Sequence, residues 1–146
     1  MKDVLIDITG TQTVDGSTDV IEFTTEGQYY KYRGRYHVRY PEHITTGLDG
    51  ITTTLKIGET CVSLSRRGRM SSELTVERDR RHVCHYDTGF GLFSVGVFGK
   101  TIRSTLDEGG GELVMRYAID IDMTHQSDNE IKITVRDKSD PAPGLV

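Results

Sequence analysis

At 146 residues the chain suits one domain, able to remove roughly 70% of its unfolded surface from water, and no second core is expected. Its formal charge of −4 withholds any general attraction for nucleic acid or acidic lipid, and two cysteines are too few for a disulfide scaffold. No run approaches the eighteen or so apolar residues of a membrane-spanning helix, and Asp3 interrupts the stretch a signal peptide would need; no membrane association is expected, and the expected compartment is the cytoplasm, with Cys61 and Cys84 reduced.

Taken in chain order, the elements are almost all strands. Val4, Ile6 and Ile8 alternate with Leu5, Asp7 and Thr9, and Asp15-Gly16 turns the chain into a strand carrying Ile21 and Phe23. A hairpin around Gly34 follows, read with Tyr30, Tyr32, Tyr36, Val38 and Tyr40 facing inward and the cationic row Lys31, Arg33, Arg35, His37 and Arg39 facing outward. After a loop from Pro41 to Gly50 come strands carrying Ile51 to Ile57, Val62 and Leu64, Leu74 and Val76, and then Val83. The apolar phase then changes from odd (Phe93, Val95, Val97) to even (Ile102), which predicts a glycine β-bulge near Phe98-Gly99-Lys100. The clearest alternation is Leu113, Met115, Tyr117, Ile119, Ile121 and Met123, all expected inside, and Ile131, Ile133 and Val135 complete the sheet. The fold expected is all-β, an antiparallel meander of about 8–11 strands closed into a barrel, with little or no helix. Residues 1–136 form the barrel domain and 137–146 a flexible C-terminal tail.

Several segments resemble one family in their order and spacing: Glu26 to Tyr30, Tyr36 to His43, Arg66-Arg67-Gly68, Tyr86 to Gly91 and Gly111 to Tyr117. Together they are similar to the YwiB-like family of small bacterial β-barrel proteins of unassigned function. The resemblance implies a calycin-type, lipocalin-like barrel and a bacterial cytoplasmic setting, and it carries over no catalytic residue. The chain has no tryptophan, which lipocalins and haem-binding barrels of similar shape carry near the first strand, so no haem or carrier role comes with it.

In an up-and-down barrel successive turns alternate between the two ends. One end then collects the loop from Pro41 to Gly50, the turns near Arg66 and Tyr86, a turn near Glu26-Gly27 and a loop at Thr124 to Asn129. Glu42, His43, Arg66, Arg67, Tyr86 and Thr88, with Arg69 and His125, are thereby placed at a barrel mouth. The functional reading is the entrance to a pocket for a small amphipathic or anionic molecule, with an arginine accepting carboxylate or phosphate and Tyr30, Tyr32, Tyr36, Tyr40 and Tyr117 lining the interior. Against it stands a set of solvated hairpin ends. The alternative function is an interaction module for an acidic protein partner or nucleic-acid machinery, using Arg33, Arg35, Arg78, Arg80 and Arg81. Direct nucleic-acid binding is not expected, because base stacking would need the tyrosines outside. His82, Cys84 and Tyr86 share one strand face, but two ligands make no tetrahedral site, so neither metal nor cofactor is expected. Asp120 and Asp122 point into water with nothing to raise a general-acid pKa, and the reading leans away from an enzyme.

Overall fold

The computed structural model describes residues 1–42, 50–69, 71–87 and 92–139, with Tyr86, Asp87, Leu92 and Phe93 described by their backbone alone. Among these residues are ten strands and no helix: β1 (Lys2–Val14), β2 (Ser17–Tyr32), β3 (Arg35–Pro41), β4 (Thr52–Ile57), β5 (Cys61–Arg67), β6 (Ser71–Glu77), β7 (Arg81–Asp87), β8 (Leu92–Ser104), β9 (Gly111–Ile121) and β10 (Thr124–Arg136). Each strand pairs antiparallel with its sequence neighbours, and β10 returns to β1, so the meander closes into a barrel without a free edge.

Alternation puts Ile6, Leu55, Leu64, Leu74, Leu113, Met115 and Ile133 inside, all essentially without exposure. The bulge falls where the phase change predicts it: Gly99 pairs with Tyr117 and Thr101 with Arg116, leaving Lys100 unpaired. Gly99 also receives the β6–β7 turn, since Asp79 N–H donates to its carbonyl at 2.9 Å, and a Cβ there would stand 2.2 Å from the Glu77 carbonyl oxygen.

Four inward or turn assignments are corrected. Tyr30 and Tyr32 face outward. Arg33-Gly34 is a two-residue turn with both φ positive (51° and 77°), so Tyr32 pairs directly with Arg35 and must share its face. The inward phase of Phe23 runs unbroken along β2 to Tyr29, which is buried in Tyr30's place. Val83 is likewise outward, 59% exposed, while Cys84 takes the inner face of β7. Met123, expected inside, is 73% exposed because it sits with Asp122 in another turn of two positive-φ residues. Finally, Glu26-Gly27 lies within β2 and Thr124 to Asn129 within β10, so neither is a loop. Gly27 is required there by space: a Cβ would lie 2.3 Å from the Arg39 carbonyl oxygen and 2.5 Å from Ile6 Cδ1. Beyond β10, Asp137 pairs with Lys2 and Lys138 with Glu26; residues 140–146 of the expected tail lie outside the described residues.

The wall is uneven in height. β3 to β7 have 6 or 7 residues each, whereas β1, β2, β8, β9 and β10 have 11 to 16. The tall wall is tied on its outer surface by Arg81, which donates to Asp120 at 2.9 and 2.7 Å across the face of Gly96 on the intervening strand. Any Cβ at Gly96 would meet the guanidinium at 2.4 Å. Gly96→Val should therefore break this clasp and lower the urea midpoint; an unchanged midpoint would show that the clasp contributes nothing.

Candidate functional site

The mouth lies at the end of the barrel where β3 and β5 finish and β4 and β6 begin. Here register sets the inner surface: Tyr40 pairs with Thr53, Thr53 with Arg66 and Arg66 with Ser72, so these four residues form one row around the short wall. Above that row the taller strands continue, and a cavity of about 540 Å³ occupies the space between the two heights. Ile8, Ile21, Phe23, Ile119 and Ile131 give it an apolar side, Tyr40, Tyr117 and Leu74 lie beneath, and Glu42 and Arg66 stand on the short rim.

Glu42 is held by its backbone, whose N–H donates to the Ile51 carbonyl at 2.8 Å, and its side chain is only 3% exposed. Thr53 Oγ1 donates to Glu42 Oε2 in a very short hydrogen bond, and Arg66 Nε lies 3.8 Å from the same oxygen. That distance is an ion pair rather than a hydrogen bond. Arg66 Nε is buried and has no hydrogen-bond partner among the described residues. Burial pushes the Tyr40 phenol far above its ordinary value; the Glu42 charge adds to this and Arg66 opposes it, so Tyr40 stays a neutral hydroxyl. On the opposite side Gln12 Nε2 donates to Asn129 Oδ1 at 3.2 Å, and Asn129 Nδ2 donates to Ser127 Oγ at 3.0 Å.

Of the expected mouth residues, Glu42 and Arg66 meet in the cavity. Arg67 points outward and lies 3.9 Å from Glu73, and His125 sits outside beside Asp128 at 3.3 Å. Tyr86 continues the row by its backbone pairing with Ser72, while His43 and Thr88 lie outside the described residues. Of the expected interior tyrosines, Tyr40 and Tyr117 line the cavity. Tyr36 instead stacks on Tyr29, with ring centroids 5.2 Å apart, towards the far end. Sequence reading missed Thr53, Gln12 and Asn129. Gln12 was recoverable, because the even phase of Val4, Ile6 and Ile8 carries on through Gly10 to Gln12.

Elsewhere, Arg81 is engaged by Asp120 and Arg80 lies 3.4 Å from Glu77, while Arg78 is exposed and forms no ion pair among the described residues. His82 Nε2 sits 2.8 Å from Glu77 Oε1. Cys84 Sγ accepts from the Thr75 N–H at 3.4 Å, beyond the last of three β6–β7 pairs, and burial pushes its thiol pKa up. Among the described residues no three metal-ligating side chains gather.

Fold and site together define a closed ten-stranded antiparallel barrel with an apolar cavity and a charged rim at one mouth. The sequence matches the family model described as a domain of unknown function, DUF1934, over residues 6–133, and the chain belongs to that family. It is similar to the uncharacterized beta-barrel protein YwiB of Bacillus subtilis (strain 168), with 29% identity over 103 residues, or 70% of this chain and 71% of that protein. The crystal structure of the ywiB protein from Bacillus subtilis is similar in fold, with a TM-score of 0.77 at 25% identity over 90% of both chains.

Proposed function

We propose that this protein is a non-enzymatic barrel that holds a small amphipathic anion in its mouth, apolar body against Phe23, Ile119 and Ile131 and anionic group towards Arg66. The observation that carries this reading is the buried, unbonded Nε of Arg66 at the edge of a cavity of about 540 Å³. Buried donors are almost always satisfied, so this one calls for a partner, and the Arg66 side chain, 22% exposed, lines the cavity from which a ligand oxygen would reach its guanidinium. The volume lies within the range of about 300–1,000 Å³ usual for small-molecule pockets. Glu42 holds Arg66 in place and offsets part of its charge, which favours a single negative charge over a dianion.

Titration with anilinonaphthalene sulfonate, an apolar ring system bearing one anionic group, tests the reading by its fluorescence gain. Arg66→Gln should weaken binding about 10- to 100-fold, the worth of a charged hydrogen bond. Ile119→Trp, which fills the cavity without touching the rim, should abolish it. Binding that neither substitution alters would place the dye elsewhere and sink the proposal.

A further inference from the structure

We propose a second site, independent of the mouth: the outer wall of β2 and β3 binds single-stranded nucleic acid, through Tyr32, held by the stacked rings of Tyr30 and His37, and through the surrounding Arg33, Arg35, Arg39 and Lys56. The correction in the phase of β2 brings these groups together. With Tyr30 and Tyr32 outside, the aromatic residues and the arginines share one face, where bases can stack.

The register builds the surface. Tyr30 pairs with His37, and His37 with Lys56, in one row; Tyr32 pairs with Arg35 in the next, and Gln28, Arg39 and Thr54 form the row on the other side. Tyr30 and His37 stack with centroids 4.8 Å apart and planes 13° from parallel, and Tyr32 meets His37 edge-on at 6.1 Å. His37 is 8% exposed although it lies on the outside of the barrel, because the two tyrosines cover it. Its Nδ1 donates to the Arg35 carbonyl at 3.2 Å, which fixes the ring. Tyr32 remains 55% exposed, with the Arg33 guanidinium 5.3 Å from its ring centre.

Charge points to the occupant. On this outer face residues 28–41 and 52–57 carry four cations (Arg33, Arg35, Arg39 and Lys56) and no carboxylate, on a chain whose net charge is −4, whereas Lys31, expected outside, takes the other phase of β2 and lies over the Tyr36 ring. Arg35, Arg39 and Lys56 form no ion pair with any described residue, unlike Arg81, Arg116 and Arg136, which are all engaged. Unneutralised arginines suit any polyanion. A fixed aromatic cluster with one exposed ring suits bases, whose flat faces stack without regard to sequence, and an acidic peptide has no use for it. A sheet face with aromatic rings between cations is the general form of a single-strand platform.

Fluorescence anisotropy of labelled oligothymidylate and oligouridylate, each of about twelve nucleotides, tests this, the two probes separating DNA from RNA. Binding should weaken roughly 20- to 50-fold between about 50 and 200 mM salt, as expected for three or four phosphate contacts on a single strand. Tyr32→Ala should cost about tenfold, the loss of one stacked base, and Arg35→Glu with Arg39→Glu should remove binding. Arg103→Glu, a single charge reversal on β8 across the barrel from β3, should leave it unchanged, whereas Arg35→Glu alone should weaken it. No anisotropy change at the lower salt would overturn the proposal. So would displacement of the oligonucleotide by an equal charge concentration of polyglutamate, or Tyr32→Ala binding as tightly as the parent; either result would reassign the face to an acidic protein partner.

Discussion

Met115→Asp leaves no folded barrel at neutral pH. Met115 is wholly buried on β9, paired with Ile131 of β10 on one side and Ile102 of β8 on the other. A carboxylate there has no donor within the core, so it must either ionise without solvent or take up a proton and still lack a partner. Either course, with the lost methionine packing, costs more than about 4–5 kcal/mol, which reaches the lower end of the roughly 5–15 kcal/mol by which whole domains are stable. Met115→Leu, which keeps the volume, should cost less than about 1.5 kcal/mol. Arg116→Gln, one residue on, should cost no more than about 1 kcal/mol, since Arg116 stands on the outer wall and loses only its exposed partner Glu130. Urea unfolding followed by far-UV circular dichroism separates the three. Similar losses at positions 115 and 116 would refute the closed barrel with odd-numbered β9 residues inside.

Alternation is a local signal and was legible wherever a strand kept one phase. β9, the even positions of β1 and the phase change at Lys100 could all be read directly, because each fixes a face from neighbours two residues away. The β2–β3 hairpin failed for a different reason. Tyr29 and Tyr30 offer both phases equally, and choosing between them needed the register across the turn. A two-residue turn forces positions 32 and 35 onto one face, so Tyr32 and Tyr36 cannot both point inward. Val83 and Cys84 posed the same ambiguity, resolved only by the pairing of Cys84 with Val95 on the inner face of β8.

The mouth was half legible. Topology alone brought Glu42 and Arg66 to one end, since turn parity in a meander needs no side-chain detail. What could not be read was the difference in height between the two walls. It depends on how far β1, β2, β9 and β10 remain paired beyond the core, and it creates the cavity by carrying Gln12, Phe23 and Asn129 above the short rim. The proposed ligand site and the proposed nucleic-acid face therefore both follow from register, one along the tall strands and one across a single turn.

Arg136→Met should be the most costly change on the outer wall, and its cost should depend on pH in a defined direction. Asp7 and Arg136 close the barrel where β1 meets β10, with side chains 19% and 11% exposed. Arg136 Nε donates to Asp7 Oδ2 at 2.7 Å, its Nη2 reaches Oδ1 at 3.3 Å, and Thr24 Oγ1 donates to Oδ1 at 2.6 Å from β2. Burial by itself would raise the Asp7 carboxyl, but the hydrogen bonds from Arg136 and Thr24 and the arginine's charge outweigh it, and the net shift is below the ordinary value. A depressed carboxyl contributes stability that is present above the unfolded value, about pH 4, and is lost as pH falls through the lower folded value. Removing the arginine leaves a half-buried carboxylate with only Thr24, at a cost of about 3 kcal/mol at neutral pH. The deficit should shrink as pH drops below about 4, because the variant can protonate Asp7 where the parent resists. Adding Asp7→Asn to Arg136→Met should recover much of the loss and flatten that acid limb, since no charge then remains to be paired. Urea midpoints of the parent and the two variants between about pH 7 and pH 3 measure both effects. A deficit that stays constant across that range would mean the pair contributes packing alone.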